Sequence, residues 1–184
     1  MTETPVVQLE PSIRVLFSAE QIAARVRELG LEIARDLSPV TREPVFVGVL
    51  KGACLFMCDL ARATPLDVEF DFVTLSSYGS GTASSGNVRL ESDLRNDIAG
   101  RHVVICEGVV DSGRSLTFLL DLLKQRNPAS IRIATLLDKL PCRKIPVPVT
   151  YAAWTIGDEF VIGYGMDYGE KYRNLPYVGV LQEA

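Results

Sequence analysis

From Glu107 to Ser115 the chain reads Glu-Gly-Val-Val-Asp-Ser-Gly-Arg-Ser, with acids on both sides of an apolar pair and then a small-residue turn carrying a hydroxyl at each end. A turn of this kind opening a helix aims backbone N–H groups at an anion, the helix dipole favours that anion, and Ser112 and Ser115 add hydroxyl donors. Glu107 and Asp111, just upstream, suit sugar hydroxyls, a hydrated cation or a proton in transit. Ser and Gly alone read more often as a plain βα connection; the flanking acids reverse that preference. Lys51-Gly52, where an apolar run meets a helical pattern, is placed to meet an anion at the carboxyl edge of a parallel sheet, although a lone lysine there is more often simply solvated. The stretch 76–86, Ser-Ser-Tyr-Gly-Ser-Gly-Thr-Ala-Ser-Ser-Gly, reads as a floppy hairpin connection or, because of Tyr78, as a lid loosely held so that it can open.

These residues need elements to position them. Val103–Cys106 is a short β-branched run that predicts a strand buried on both faces, and Leu116, Leu119, Leu120 and Leu123 predict one apolar helix face beginning at Ser115. Pro44–Leu50, Val68–Leu75 and Ser130–Leu137 predict further strands, Val88–Glu91 a return strand, and Ala53–Arg62 a helix. Ser18-Ala19-Glu20-Gln21 is a capping box ahead of Ile22, Val26, Leu29, Ile33 and Leu37, an amphipathic scaffold helix, and Ile13–Phe17 reads as an edge strand. His102 is expected to pack or hydrogen-bond at a strand start. Pro141–Pro148 predicts a stiff surface connection, Val149–Trp154 and Phe160–Tyr164 two more strands, and Val178–Leu181 the strand that closes the sheet. Strands alternating with helices predict an α/β fold, a parallel doubly wound sheet flanked by helices in a single domain. Its core is expected at about 38–138, with a small hood from 1–37 and 139–184 over the carboxyl edge.

The 184 residues suffice for one domain with a substantial core, and 47% hydrophobic with 23% charged residues is ordinary for a globular protein. A net charge of −4 argues against a nucleic-acid partner bound through electrostatics. The polar Thr-Glu-Thr-Pro after Met1 predicts no signal peptide, and no apolar run is long enough to span a membrane. Four cysteines beside a single histidine read as reduced thiols in a cytoplasmic protein.

Glu107, Asp111, Ser112, Gly113 and Ser115 resemble the phosphoribosyl-pyrophosphate (PRPP) motif of type I phosphoribosyltransferases. Gly108 departs from it, since the family most often has a second acid there. Leu50-Lys51-Gly52 is similar to the pyrophosphate loop of hypoxanthine-guanine phosphoribosyltransferases, the stretch around Tyr78 to their catalytic loop, and Phe160–Tyr177 to their purine-binding end. The resemblance implies a purine salvage enzyme that transfers 5-phosphoribosyl from PRPP to hypoxanthine or guanine, giving IMP or GMP and pyrophosphate. It implies Asp111 as general base or hydrogen-bond partner at purine N7, with Tyr78 in the closing loop. Lys51, Gly52, Ser77, Glu107, Ser112, Gly113, Arg114, Ser115 and Arg173 would hold PRPP and its phosphates. Lys139 would donate to the oxygen at purine position 6, Phe160 would stack on the base and the Val161 backbone would meet its edge. Asp167 would hold Mg²⁺ on pyrophosphate, and Glu107 would serve the ribose directly or through the hydrated metal. A homodimer or homotetramer is usual in the family. If Gly108 merely lacks a contact, an acid restored there should tighten the grip on the ribose hydroxyls; if glycine serves the backbone, any side chain should do harm. The competing expectation is a regulatory protein of the same fold that binds PRPP without turning it over. Gly108 supports it, whereas Asp111, Tyr78, Asp167 and Arg173 speak for the enzyme.

Overall fold

The apolar run beginning at His102 forms the central strand of the computed structural model, which describes residues 12–77 and 88–182. In chain order the elements are β1 (Ile13–Phe17), α1 (Ala19–Leu37), β2 (Val45–Leu50), α2 (Cys54–Ala63), β3 (Glu69–Ser77), β4 (Val88–Ser92) and β5 (His102–Val110). There follow α3 (Arg114–Lys124), β6 (Ser130–Asp138), a single 3₁₀ turn (Leu140–Cys142), β7 (Tyr151–Thr155), β8 (Val161–Ile162) and β9 (Val178–Leu181). The main sheet runs β4-β3-β2-β5-β6-β7, parallel except for the antiparallel edge strand β4.

Side chains alternate across the sheet as a period of two requires. On β5, Val104 and Cys106 join the layer formed by Ile22, Val26, Leu29 and Ile33 of α1 with Phe56, Met57 and Leu60 of α2. Val103 and Ile105 face the other way, into the layer with Leu116, Leu119 and Leu123 of α3. Helices thus cover both faces of a parallel sheet, the doubly wound arrangement. From β2 the strand order proceeds outward to β3, and from β5 it proceeds the opposite way to β6. A crevice therefore opens at the carboxyl ends of β2 and β5, where ligands of such sheets bind. Lys51 and the Glu107–Ser115 segment lie there.

Two expectations about the outer elements are corrected. β9 does not close the main sheet; it pairs antiparallel with β1 and β8 in a separate sheet of order β1-β9-β8. α1 buries its apolar stripe in the main core and β7 pairs with β6, so neither belongs to a hood. The hood proper is the small sheet and the loops around it. The capping box of α1 is present, with the Gln21 N–H donating to Ser18 Oγ and the Ser18 N–H to Gln21 Oε1. His102 sits at the start of β5 with Nδ1 2.7 Å from Ser130 Oγ, a structural contact. Among the described residues no helix is long and apolar enough to cross a membrane.

Candidate active site

Two cavities adjoin at this crevice. The first, about 260 Å³, is lined by Glu107, Val109, Val110, Asp111, Ser112, Gly113 and Ser115, with Leu75 of β3 at one side. The second, about 360 Å³, is lined by Lys51, Gly52, Gly108, Lys139, Phe160, Val161, Met166, Asp167 and Arg173. Glu107, Val109 and Asp111 line both. A ligand filling the two would pass over these three residues.

Each cavity also meets the start of a helix. α3 begins at Gly113, whose φ of 85° reverses the chain out of β5, and no side chain caps its first N–H groups. α2 begins after Gly52 and likewise has no side-chain cap. Uncapped first-turn N–H groups carry the positive end of the helix dipole. The distant α1, by contrast, satisfies its own N-terminus. The start of α3 is open at the crevice, whereas in α2 the Cys54 N–H already donates to Lys51 C=O at 3.2 Å and leaves the next N–H groups of the turn.

The segment after β6 forms a strap along the Val110–Gly113 backbone. Ser112 C=O accepts from both the Lys144 and Ile145 N–H groups at 3.0 Å, and Lys139 N–H donates to Val110 C=O at 2.9 Å. Arg143 donates through Nε to Asp111 C=O at 3.0 Å and pairs through its guanidinium with the buried Asp138. The expected stiff connection is thus also a brace on the small-residue turn. Arg143 was missed by sequence reasoning, because nothing in a proline-rich run marks which of its cations folds inward.

Gly108 has a packing reason. A Cβ at this position would lie 2.9 Å from the Gly52 carbonyl oxygen, and that same oxygen crowds Gly165, which has a φ of 98°. The Gly52 peptide is wedged between two residues without side chains, and the preceding Leu50–Lys51 peptide is cis. Of the two expectations for an acid at 108, the packing favours the one in which glycine serves the backbone: a Cβ there meets the Gly52 peptide, which would have to shift.

In the second cavity Lys139 is buried, 6% exposed, at the end of β6, while the Phe160 ring is 55% exposed. Tyr168 meets Phe160 edge-to-face at 5.7 Å, a contact that leaves a face of Phe160 open for stacking. Arg173 donates to Gly165 C=O and pairs with Asp167 Oδ1, both at 2.8 Å, and its buried Nε has no hydrogen-bond partner. Asp167 Oδ2 accepts from the Glu170 N–H at 2.9 Å. Glu107 accepts from the Gly108 N–H at 2.9 Å, and burial pushes its carboxyl up to about 8 against those backbone bonds. Cys106, beneath the site, has its thiol pushed well up by burial and is inert.

The cavities therefore gather Asp111, Lys51, Gly52, Glu107, Ser112, Gly113, Ser115, Arg173, Lys139, Phe160, Val161 and Asp167. Arg114, the first residue of α3, lines neither. Tyr78 lies outside the described residues, and Ser77 is the last residue of β3.

Residues 14–169 match the family model described as phosphoribosyl transferase domain. The chain is 50% identical over 171 residues to the hypoxanthine-guanine phosphoribosyltransferase of Mycobacterium avium, covering 91% of this chain and 84% of that one. Against the enzyme of the same name from Streptococcus pneumoniae it is 44% identical over 170 residues, covering 92% and 93%. It is also 44% identical over 169 residues to the bifunctional protein TilS/HprT of Listeria monocytogenes, of whose length it spans only 26%. Among solved structures, a hypoxanthine phosphoribosyltransferase from Staphylococcus aureus superimposes with a TM-score of 0.89 at 39% identity, covering 98% of this chain and 97% of that one.

Proposed function

This chain belongs to the phosphoribosyl transferase family, and we propose that within it the chain is a purine salvage enzyme. It transfers 5-phosphoribosyl from PRPP to hypoxanthine or guanine, giving IMP or GMP and pyrophosphate. One observation carries this reading. Two adjoining cavities, each met by an uncapped helix start, share Glu107 and Asp111 between them. A sugar with a phosphate at one end and a diphosphate at the other fits that arrangement.

In this reading Ser112, Gly113, Ser115 and the start of α3 hold the 5-phosphate. Lys51, Gly52 and Arg173, which line the second cavity, hold the diphosphate. Glu107 accepts from the ribose hydroxyls. Phe160 stacks on the purine, the Val161 backbone meets its edge, and Lys139 donates to the oxygen at position 6. Asp111 accepts the hydrogen at N7 while N9 attacks the anomeric carbon and pyrophosphate departs. Donors fixed around the leaving anion stabilise the charge that develops on it.

Among the described residues no cluster of three or more His, Cys, Asp or Glu could hold a metal ion alone. Asp167, with two protein donors already on its carboxylate, suits Mg²⁺ delivered on the diphosphate, since that ion keeps several waters and takes few protein ligands. Bound there, Mg²⁺ would neutralise part of the diphosphate charge. Free cysteines support a cytoplasmic location, and assembly as a homodimer or homotetramer belongs to the same proposal. The regulatory alternative drew on Gly108, and the nearby Gly52 peptide gives that glycine a packing reason as well.

The test is a spectrophotometric assay with PRPP, Mg²⁺ and hypoxanthine, guanine or adenine. IMP and GMP should form. Adenine leaves Lys139 without an acceptor, so its kcat/KM should be about 5- to 150-fold lower, as an unpaired buried donor costs about 1–3 kcal/mol. Binding of PRPP without turnover of any purine would restore the regulatory reading. Adenine turned over as well as hypoxanthine would remove Lys139 from the purine edge.

A further inference from the structure

Between the two cations assigned above to the diphosphate stands a carboxylate of the protein itself. Glu170 Oε2 lies 2.8 Å from Lys51 Nζ, and Glu170 Oε1 lies 3.2 Å from Arg173 Nη2. Lys51 follows β2 and Arg173 comes from the hairpin before β9, so Glu170 ties together two distant parts of the chain. Its place is set by its backbone: the residue takes a left-handed φ of 65° in the Tyr168–Lys171 turn, and its N–H donates to Asp167. The Lys51 contact foremost, with Arg173 in addition, holds its carboxyl below the ordinary glutamate range.

The chemistry is that of an anion seated where an anion is to bind. The Lys51 and Glu170 side chains are 66% and 65% exposed, and exposed pairs of this kind are weak and screened by salt. A diphosphate, which carries several charges on more acceptor oxygens, displaces a single carboxylate readily.

We infer that Glu170 is an internal counter-anion of the pyrophosphate site: it occupies Lys51 and Arg173 in the empty enzyme, competes with incoming diphosphate and favours its release. The inference rests on reading Lys51 and Arg173 as diphosphate ligands. Glu170 is not a catalytic residue; it acts through the two cations.

The test compares the wild-type chain with Glu170→Gln. Gln keeps the shape and the backbone bond to Asp167 and removes the charge. Calorimetric titration with pyrophosphate in the presence of Mg²⁺ should show binding about 3- to 10-fold tighter in the variant, the scale of one exposed and one half-buried ion pair. KM for PRPP should fall in step while KM for hypoxanthine stays unchanged. The difference should shrink as KCl is raised to about 0.5 M, where screening is short-ranged, a response that a purely structural role would not give. Equal or weaker pyrophosphate binding by Glu170→Gln, beside a wild type that binds it, overturns the counter-anion role alone. A wild-type chain that does not bind pyrophosphate overturns the reading of the site as well.

Discussion

At the scale of single residues, Gly108 is where chemistry and packing compete. In the proposed site a carboxylate there would serve the ribose, but its Cβ would lie 2.9 Å from the Gly52 oxygen. That oxygen is backbone, and the close approach of Gly165 on its other side leaves it little room, so relief requires the Lys51–Gly52 segment itself to shift. Overpacking of this kind costs about 1–3 kcal/mol. Gly108→Ala and Gly108→Asp should therefore both raise KM for PRPP, by roughly 5- to 100-fold, with similar losses. Steady-state kinetics on both variants decide the matter: a neutral Ala and an improved Asp would mean that the loop yields and that the contact alone was missing. Asp111 should behave differently, since it lines both cavities while its peptide is held by Arg143. Asp111→Asn keeps the shape and removes the proton acceptor, so kcat should drop on the order of 10²-fold with little change in KM for PRPP. A variant that keeps most of its kcat, with chemistry rate-limiting, would move the role to another carboxylate. The chemistry of Glu107–Ser115 was legible in the sequence because it is local, although its first four residues prolong β5 to Val110 rather than forming a turn; the reason for Gly108 was not, because Gly52 and Gly165 meet it only in three dimensions.

At the scale of elements, legibility follows the range of the forces. α1 is written in its own residues, a capping box and an apolar stripe, and it forms as read. β5 and α3 are equally plain, because a buried strand and a one-sided helix each show a period. The strap after β6 shows none. Its prolines announce stiffness, but its position comes from Ser112 accepting two N–H groups and from Arg143 reaching Asp138 and Asp111. β9 likewise pairs with β1 across nearly the whole chain, a partner no local pattern names. The strap makes its own prediction. The Arg143 and Asp138 side chains are only 11% and 8% exposed, and removing one member of a buried pair strands the other charge at a cost of about 3–5 kcal/mol. Arg143→Ala should lose that much in urea denaturation, and the double variant Arg143→Ala/Asp138→Asn should recover a large part of it. A loss near that of an exposed residue, under about 0.5 kcal/mol, would show that the strap holds without the pair.

For the whole molecule, the site is a place where stability is given up. The doubly wound sheet puts Glu107 at the crevice between β2 and β5, and burial raises its carboxyl from 4.5 to about 8. Below about pH 4.5 Glu107 is protonated in the folded and unfolded chains alike, and folding is unopposed by it. Between that pH and about 8 the unfolded chain releases the proton and the folded chain retains it, so the unfolded chain binds fewer protons and stability falls with rising pH. The slope is at most about 1.4 kcal/mol per pH unit for one group. Glu107→Gln has no charge to bury and keeps an oxygen for the Gly108 N–H. In urea denaturation its stability relative to wild type should therefore rise, on the order of 2 kcal/mol, between about pH 5 and about pH 8 once partial solvent access is allowed for. In the proposed role of Glu107 the same ionisation serves binding in the opposite sense, because a carboxylate is the better acceptor for ribose hydroxyls. PRPP should pull the proton off, so KM for PRPP should fall as pH rises toward about 8 in the wild type and lose that component in Glu107→Gln. Parallel pH profiles of stability for the two proteins would mean that Glu107 is ionised throughout, and both predictions would fail together.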